Sequence, residues 1–442
     1  MRRRELCRWL GVGGVASATG CLGTRGRRTA DATGSTDGTG SGATAADWPT
    51  FGFDGRHSGV NDAGDGPRTD AVAWRGIGYA PTVLCAPTVR DGTVYVGSAA
   101  NAVHAFDATT GEERWSSPTT SYVETAPTVV DGTVYTADAD GVVFALGTDG
   151  ERRWTFETNT NLHSSAVAVH EGTLFVGTAG TMPAVASGDT DGSKAGTALA
   201  LDTATGARQW TYTGPTDWFT GPAVGGGRVY FGNHDGSVVA LDPATGAELW
   251  TWDGGGEHAG VLAPPAYADG TVYVGVHVDG RLVALDAASG TLRWETDLRA
   301  SNVKSSPAVD DDRVYVAATG SEATDYDAPG ESTPTPTPRE TSDDGAAGMP
   351  TVDVSGSVFA LSRNGGDIEW RYETDHDFRS SPAVVDDRVY IGGGDRFLAL
   401  SRADGAEQWH VSVDDFVESS PAVAGGRAYI GSADGHLYCI GE

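Results

Sequence analysis

The sequence predicts an all-β fold, an eight-bladed β-propeller of four-stranded antiparallel blades whose ring is closed by pairing of the N- and C-terminal segments. Three observations predict it. Tryptophan recurs at 74, 115, 154, 210, 250, 294, 370 and 409, at spacings of 41, 39, 56, 40, 44, 76 and 39. The basic period of about 40 residues is the length of one four-stranded blade. A fixed residue set recurs between the tryptophans, and 63 of the 442 residues are glycine, a density that calls for many turns between short strands.

Residues 1–20 read as an export leader. Arg2-Arg3-Arg4-Glu5-Leu6 precedes a weakly apolar run from Trp9 to Gly20, far shorter than the ~20 apolar residues a bilayer span needs. The arginine pair resembles the twin-arginine (Tat) signal that exports folded proteins. Ala18-Thr19-Gly20-Cys21 resembles a lipobox, which makes Cys21 the expected lipid attachment; the alternative is an ordinary free thiol. Residues 21–47, mostly Gly, Thr, Ser, Ala and Asp, cannot bury a core and read as a flexible tether.

The propeller is expected over 48–442. Strand A is the Pro-Ala-Val-like segment, strand B Val-Tyr-Val-Gly, strand C Val-Ala-Leu-Asp, and strand D ends near Trp. Asp-Gly pairs at 140–141, 235–236, 279–280 and 434–435 mark the B–C hairpins, and Asp-x-x-x-Gly at 107–111, 202–206, 242–246 and 286–290 marks the C–D turns. Strands B and C are apolar almost throughout, as in sheets covered on both faces. The tryptophan offers a large apolar plate between blades. The last copy stops at Glu442 without a strand D, and Trp74 has no strands A to C before it, so residues 71–75 are expected to complete the final blade. Insertions at 179–196 and 318–355 fall between strands B and C of copies three and six. The second contains the polyproline-like run Ser332 to Pro338.

Charge narrows the function classes. The 30 Lys+Arg and 60 Asp+Glu leave a net charge of −30, which excludes nucleic acid as a default partner. Only Lys194 and Lys304 are lysine, and Asp outnumbers Glu 42 to 18. That balance resembles proteins of extreme halophiles, whose surface repulsion is screened by strong salt.

The repeats resemble the PQQ-like β-propeller family, in both its BamB-like and quinoprotein-like forms, here as a haloarchaeal lipoprotein type. The Tyr-Val-Gly, Asp-Gly, Ala-Leu-Asp-x-x-Thr-Gly and Trp set carries the resemblance over 48–442. So does the preceding segment Trp48-Pro49-Thr50-Phe51-Gly52 with Asp54, Arg56-His57 and Gly59. For the BamB-like form the resemblance implies a lipoprotein scaffold, although a halophilic archaeon has no outer membrane on which to perform that form's task. For the quinoprotein form it implies PQQ with calcium, a catalytic Asp and a disulfide between adjacent cysteines. This chain has no Cys-Cys pair, so no cofactor is expected and PQQ with calcium is the alternative. Cys85 and Cys439 fall in neighbouring blades, either paired or as two separate buried thiols.

No motif for catalysis or a metal is found: no Walker loop, Gly-x-Ser-x-Gly, His-Glu-x-x-His or CxxC occurs. Asp375-His376-Asp377 reads as a solvated loop. One pattern rises above this background. Stepping back three residues from each strand-A proline, or from Ala166 where the proline is replaced, gives Leu84, Glu124, His163, Phe219, Leu262, Lys304, Arg379 and Glu418. Strand A lines the channel of a propeller, so these should ring one mouth beneath the long insertions. Glu124, His163, Lys304, Arg379 and Glu418 are the expected ligand-binding set; the alternative is a group of loop residues that pair with one another or with water. The expectation is an exported, lipid-anchored, monomeric scaffold on the outer face of the cytoplasmic membrane, binding an envelope protein or peptide. The alternatives are a PQQ-dependent dehydrogenase and a carbohydrate-binding propeller, the latter hinted at only by Trp218 and Phe219.

Overall fold

The computed structural model describes residues 47–162, 166–180, 195–214, 218–254, 260–320 and 355–442. The leader, the tether up to its last residue, Cys21, His163 and all but the roots of both insertions lie outside the described residues.

The described residues form eight sheets, each built of four antiparallel strands from an inner A to an outer D, one of them with an added fifth strand. In blade 1 these are Thr88–Arg90, Thr93–Ser98, Ala102–Asp107 and Glu113–Pro118. Strand B is buried along its whole length, whereas strand D is largely exposed. Neighbouring blades therefore cover both faces of the middle strands and leave the fourth to solvent, which is why B and C carry no polar alternation. Blade 8 takes its strand D from Val72–Ile77, which pairs antiparallel with His436–Gly441 and sets Trp74 opposite Cys439. The ring closes as expected, with a strand that starts one residue and ends two residues later than the pattern suggested.

The tryptophans lock each blade to the next. The Trp115 indole N–H donates to the Thr148 carbonyl at 2.9 Å, Trp250 to Ala287 at 3.0 Å and Trp370 to Arg402 at 3.2 Å. Each acceptor lies in the following blade's C–D turn. The glycine of that turn must be glycine: Gly405 has φ +73°, and a Cβ there would stand 2.5 Å from the Trp370 ring. The turn is held by its Asp. Asp107 Oδ1 accepts the Thr109 and Thr110 N–H groups, and Arg114 bonds Oδ2 at 2.8 Å. The Arg114 hydrogen bond, with those N–H groups, keeps the Asp107 carboxyl well below the usual range. Blade 8 has no C–D turn, because its strands C and D come from distant parts of the chain. The Trp409 indole N–H that would reach it is buried without a partner among the described residues. Trp370→Phe should therefore cost about 1 kcal/mol more than Trp409→Phe in equilibrium unfolding.

The segment before the first blade lines the inner edges of the ring. Trp48 bridges Val89. The Pro49, Gly55, Arg56, Ser58 and Gly59 carbonyls accept the N–H groups of Val129, Val224, Tyr267, Val309 and Val384 at 2.7–2.8 Å. Val60–Asn61 then pairs parallel with Ala383–Val385, giving blade 7 a fifth strand. One short strap thus satisfies strand-A donors in blades 1, 2, 4, 5, 6 and 7 that would otherwise be unpaired inside the channel. Asp54 organises its tightest bend, where Oδ1 accepts the Arg56 and Ser58 N–H groups at 3.0 Å and Oδ2 accepts Arg56 Nε at 2.9 Å. At Gly59 (φ +65°) a Cβ would stand 2.6 Å from Ala308 Cβ. Gly59→Ala should thus lower stability by roughly 1–3 kcal/mol, read as a lower melting temperature.

Cys85 and Cys439 are two separate free thiols, both buried. Burial pushes each thiol up to about 12.

Candidate functional site

At the face shared by the B–C and D–A connections, a cavity of about 110 Å³ opens at the mouth of the channel. Its wall includes Leu84, Glu124, Leu262, Lys304, Arg379 and Glu418, and its floor is Phe51 of the strap with Ala86. Six of the eight positions in the sequence series therefore share one concave surface, among them four of the five expected ligand-binding residues. His163 lies outside the described residues.

The spacing works because each of these residues follows a core side chain that plugs the gap between blades. Val83, Val123, Val261, Val303, Phe378 and Val417 are all at most 2 % exposed. A Cβ added to the facing glycine of strand B would collide with these plugs, as at Gly97 with Val123 and at Gly275 with Val303. With the plug fixed inward, the next residue faces the mouth.

Two blades depart from the count. Phe219 is fully buried and occupies the plug position itself, against Gly177. Blade 4 is one residue shorter between plug and proline, so it presents no mouth residue, and the aromatic hint of a carbohydrate groove loses Phe219. Trp218 lies against His234, ring centroids 5.5 Å apart. In blade 3, Ala168 pairs with Phe175 as Thr128 pairs with Tyr135, and Ala166 bridges Ala126. Val167, not Ala166, therefore stands where the proline stands elsewhere. Blade 3 is one residue longer between its plug, Leu162, and that position.

The mouth's charges are unequally engaged. Arg379 bonds Asp377 at 2.9 Å and pairs with Glu418 of the next blade, and its guanidinium lies 5.4 Å above the Phe416 ring. Asp377 is also held by the Thr319 hydroxyl, and Thr319 accepts the Phe378 N–H at 3.0 Å. Thr319 and Gly320 form one root of the longer insertion, so that root is tied to the Arg379 loop. Asp377 is thereby a positioning partner of Arg379 rather than part of an open loop. Lys304 is exposed and makes no hydrogen bond or ion pair among the described residues. It faces His277, whose imidazole is pushed down to about 4 by burial, then by the Lys304 and His234 charges. Among the described residues, no three His, Cys, Asp or Glu side chains group as metal ligands.

A second constellation was invisible to motif reading. Ser98 Oγ lies 2.9 Å from His104 Nε2, and His104 Nδ1 lies 2.9 Å from Glu113 Oε1. These are the distances of a nucleophilic triad. Ser98 and His104 are fully buried, and the Ser98 hydroxyl also accepts the Ala100 N–H at 3.2 Å. No substrate carbonyl reaches that oxygen, and the arrangement serves to hold the B–C hairpin of blade 1.

Residues 64–236, 162–266, 234–332 and 354–440 match the family described as outer membrane protein assembly factor BamB. Among solved structures, the chain is similar to quinohemoprotein alcohol dehydrogenase from Comamonas testosteroni, with 17% identity and a TM-score of 0.68 over 90% of this chain and 81% of that one. It is similar to BamB from Moraxella catarrhalis with 17% identity and a TM-score of 0.62, over 84% and 99%. A europium-containing methanol dehydrogenase shares 14% identity and a TM-score of 0.65, over 90% and 98%. At these identities the structures share the fold. No curated protein matches the chain.

Proposed function

The chain belongs to the family described as outer membrane protein assembly factor BamB, and on that premise we propose that it is an exported binding scaffold, anchored through a lipid on Cys21 to the outer face of the cytoplasmic membrane, which engages an envelope protein or peptide at the channel mouth. The observation that supports this reading is the mouth itself. Glu124, Lys304, Arg379 and Glu418 meet on one concave surface with Leu84 and Leu262, over a floor closed by Phe51. Charges of both signs interleaved with apolar side chains suit a polypeptide, which offers the same mixture. His163 belongs to the same proposal. The tether and insertions supply reach, and a monomer presenting one mouth is sufficient.

The second reading is a quinone-dependent dehydrogenase, favoured by the likeness to dehydrogenase propellers. The described lining does not fit that cofactor. PQQ is a rigid tricycle with three carboxylates, and pockets for such groups span roughly 300–1,000 Å³. The described mouth cavity measures about 110 Å³ and holds two cations, of which Arg379 is already engaged by Asp377 and Glu418.

The test is capture from membranes at high salt, with the chain carrying Lys304→Ala, Arg379→Ala and Glu124→Ala beside the wild type. Loss of a specific envelope partner, with the melting temperature lowered by only a few degrees, is the expected result. Unchanged capture would overturn the mouth as the binding surface. An absorbance scan after incubation with PQQ and calcium separates the readings, since a stoichiometric quinone with dye-reducing activity would favour the enzyme.

A further inference from the structure

One serine in the mouth lacks, among the described residues, the hydrogen bond that the equivalent serines of the next two blades make. The residue just before each strand-A proline is serine in blades 6, 7 and 8: Ser306, Ser381 and Ser420. The hydroxyls of Ser381 and Ser420 reach back to the preceding blade. Ser420 Oγ accepts the Ser381 N–H at 2.9 Å, and Ser381 Oγ accepts the Ser306 N–H at 2.9 Å. The next step of this ladder would set Ser306 Oγ against the N–H of residue 264. That residue is Pro264, which has no N–H. Ser306 is 3 % exposed, lines the mouth cavity, and its Oγ is buried with no partner among the described residues.

Two residues earlier on the same inner edge stands Lys304, whose ammonium has no carboxylate partner among the described residues. Leu262 and Pro264 of blade 5 form the adjoining apolar wall. A buried hydroxyl left unpaired costs roughly 1–3 kcal/mol. An ammonium and an unpaired hydroxyl beside an apolar wall together describe what would satisfy them, an acceptor carrying one negative charge on a small apolar stem.

We propose that this pocket holds a carboxylate on a short aliphatic stem, its charge against Lys304, one oxygen accepting the Ser306 hydroxyl, and its stem on Leu262 and Pro264. The inference rests on the mouth being the binding surface and names the ligand chemistry there. A cationic ligand would meet Lys304. A dianion such as phosphate would place two charges among the Glu124 and Glu418 carboxylates with Lys304 as the one lining cation not engaged among the described residues. A carboxylate neutralises that one charge, and a short side chain suits a cavity of about 110 Å³. Such a group is either the C-terminus of a chain ending in a small apolar residue or an Asp or Glu side chain.

The test titrates the full chain, at a salt concentration that keeps it folded, with N-acetyl-Ala-Val as free acid, the same dipeptide as C-terminal amide, and N-acetyl-Asp-amide. Calorimetry or tryptophan fluorescence reads binding. The free acid should bind and the amide should not; N-acetyl-Asp-amide binding as well as the free acid assigns the site to an acidic side chain, and weaker binding assigns it to a chain terminus. Lys304→Met should weaken binding at least tenfold. Ser306→Ala should weaken it severalfold without lowering the melting temperature, because its hydroxyl makes no hydrogen bond among the described residues. Pro264→Ala, which restores the missing N–H, should weaken it likewise. Equal binding of acid and amide, no binding of either acid, or unchanged binding in Lys304→Met would overturn the proposal. Loss of membrane capture in the triple alanine variant alongside any of those results would leave the mouth as the binding surface and refute only the carboxylate.

Discussion

Replacing Arg402 with methionine is expected to destabilise the propeller by about 3–5 kcal/mol, because it strands a buried carboxylate. Arg402 sits in the C–D turn of blade 7. Its guanidinium bonds Asp310 of blade 6 at 2.8 Å, Asp62 just after the strap at 3.0 Å and the Asp386 carbonyl at 2.9 Å. The Asp310 side chain is 3 % exposed and also accepts the Tyr315 hydroxyl at 2.8 Å and the Asp312 and Arg313 N–H groups at 2.8 and 2.6 Å. Burial alone would raise the Asp310 carboxyl. The Tyr315 hydroxyl, the two N–H groups and the Arg402 charge outweigh it and hold the group below the usual range. For a carboxyl lowered by folding, stability is fully present above the unfolded-state value and is lost as pH falls through the folded one. Denaturant unfolding near neutral pH should show the full loss in Arg402→Met, and Asp310→Asn added to it should recover much of that loss by removing the stranded charge. A loss under ~1 kcal/mol would mean that solvent screens the pair.

Phe51→Ala is expected to cost about 3–5 kcal/mol and to open the floor of the mouth into the channel. Phe51 is 4 % exposed and packs on Ala86, Ala126 and Ala166 from three successive blades. Its ring meets that of His57 edge-on at 5.2 Å. His57 is fully buried, and neither ring nitrogen makes a well-formed hydrogen bond among the described residues, although the Pro265 carbonyl lies close enough to favour its protonated form. Burial pushes its imidazole down to about 4 against the pull of the Asp54 carboxylate. Between that value and the ordinary ~6.5 the unfolded chain binds the extra proton, so stability rises with pH across this window. His57 should account for about 3 kcal/mol of the stability lost as pH falls through it; His277 and His104, lowered likewise, add to the loss in the same direction, so His57→Gln should reduce that slope without abolishing it. Phe51→Ala should flatten it in part, by admitting water to the imidazole. Melting temperatures at pH 4, 5, 6 and 7 read both effects; a wild-type profile level across that range would refute the buried neutral imidazole.

Much of the mouth was legible in the sequence because its residues hang from a repeat. A buried plug such as Val123 or Val303 sets the direction of the strand, and the residue after it, Glu124 or Lys304, must then face the channel. Where the count between plug and proline changes by one, the reading slips: Phe219 falls into the core, and Val167 replaces Ala166 as the proline equivalent. Ser98, His104 and Glu113 were not legible as a group, since the hydrogen-bonded chain they form obeys no recurring spacing.

What the sequence by itself determined is the periodic part of this protein: eight blades, the closure of the last by residues near Trp74, the place of both insertions and the alignment that finds the mouth. Periodicity is local, and each blade repeats the same strand pairings within about 40 residues. Only the tertiary structure decided what has no period. The strap from Trp48 to Asn61 shows neither strand nor helix alternation, and its hydrogen-bond partners, from Val89 to Val384, are spread over six blades. The Trp409 N–H and the Ser306 hydroxyl, both without a partner among the described residues, belong to the same class. Each becomes visible only when a neighbouring blade is brought alongside and lacks, at one position, the turn or the N–H that the other blades supply.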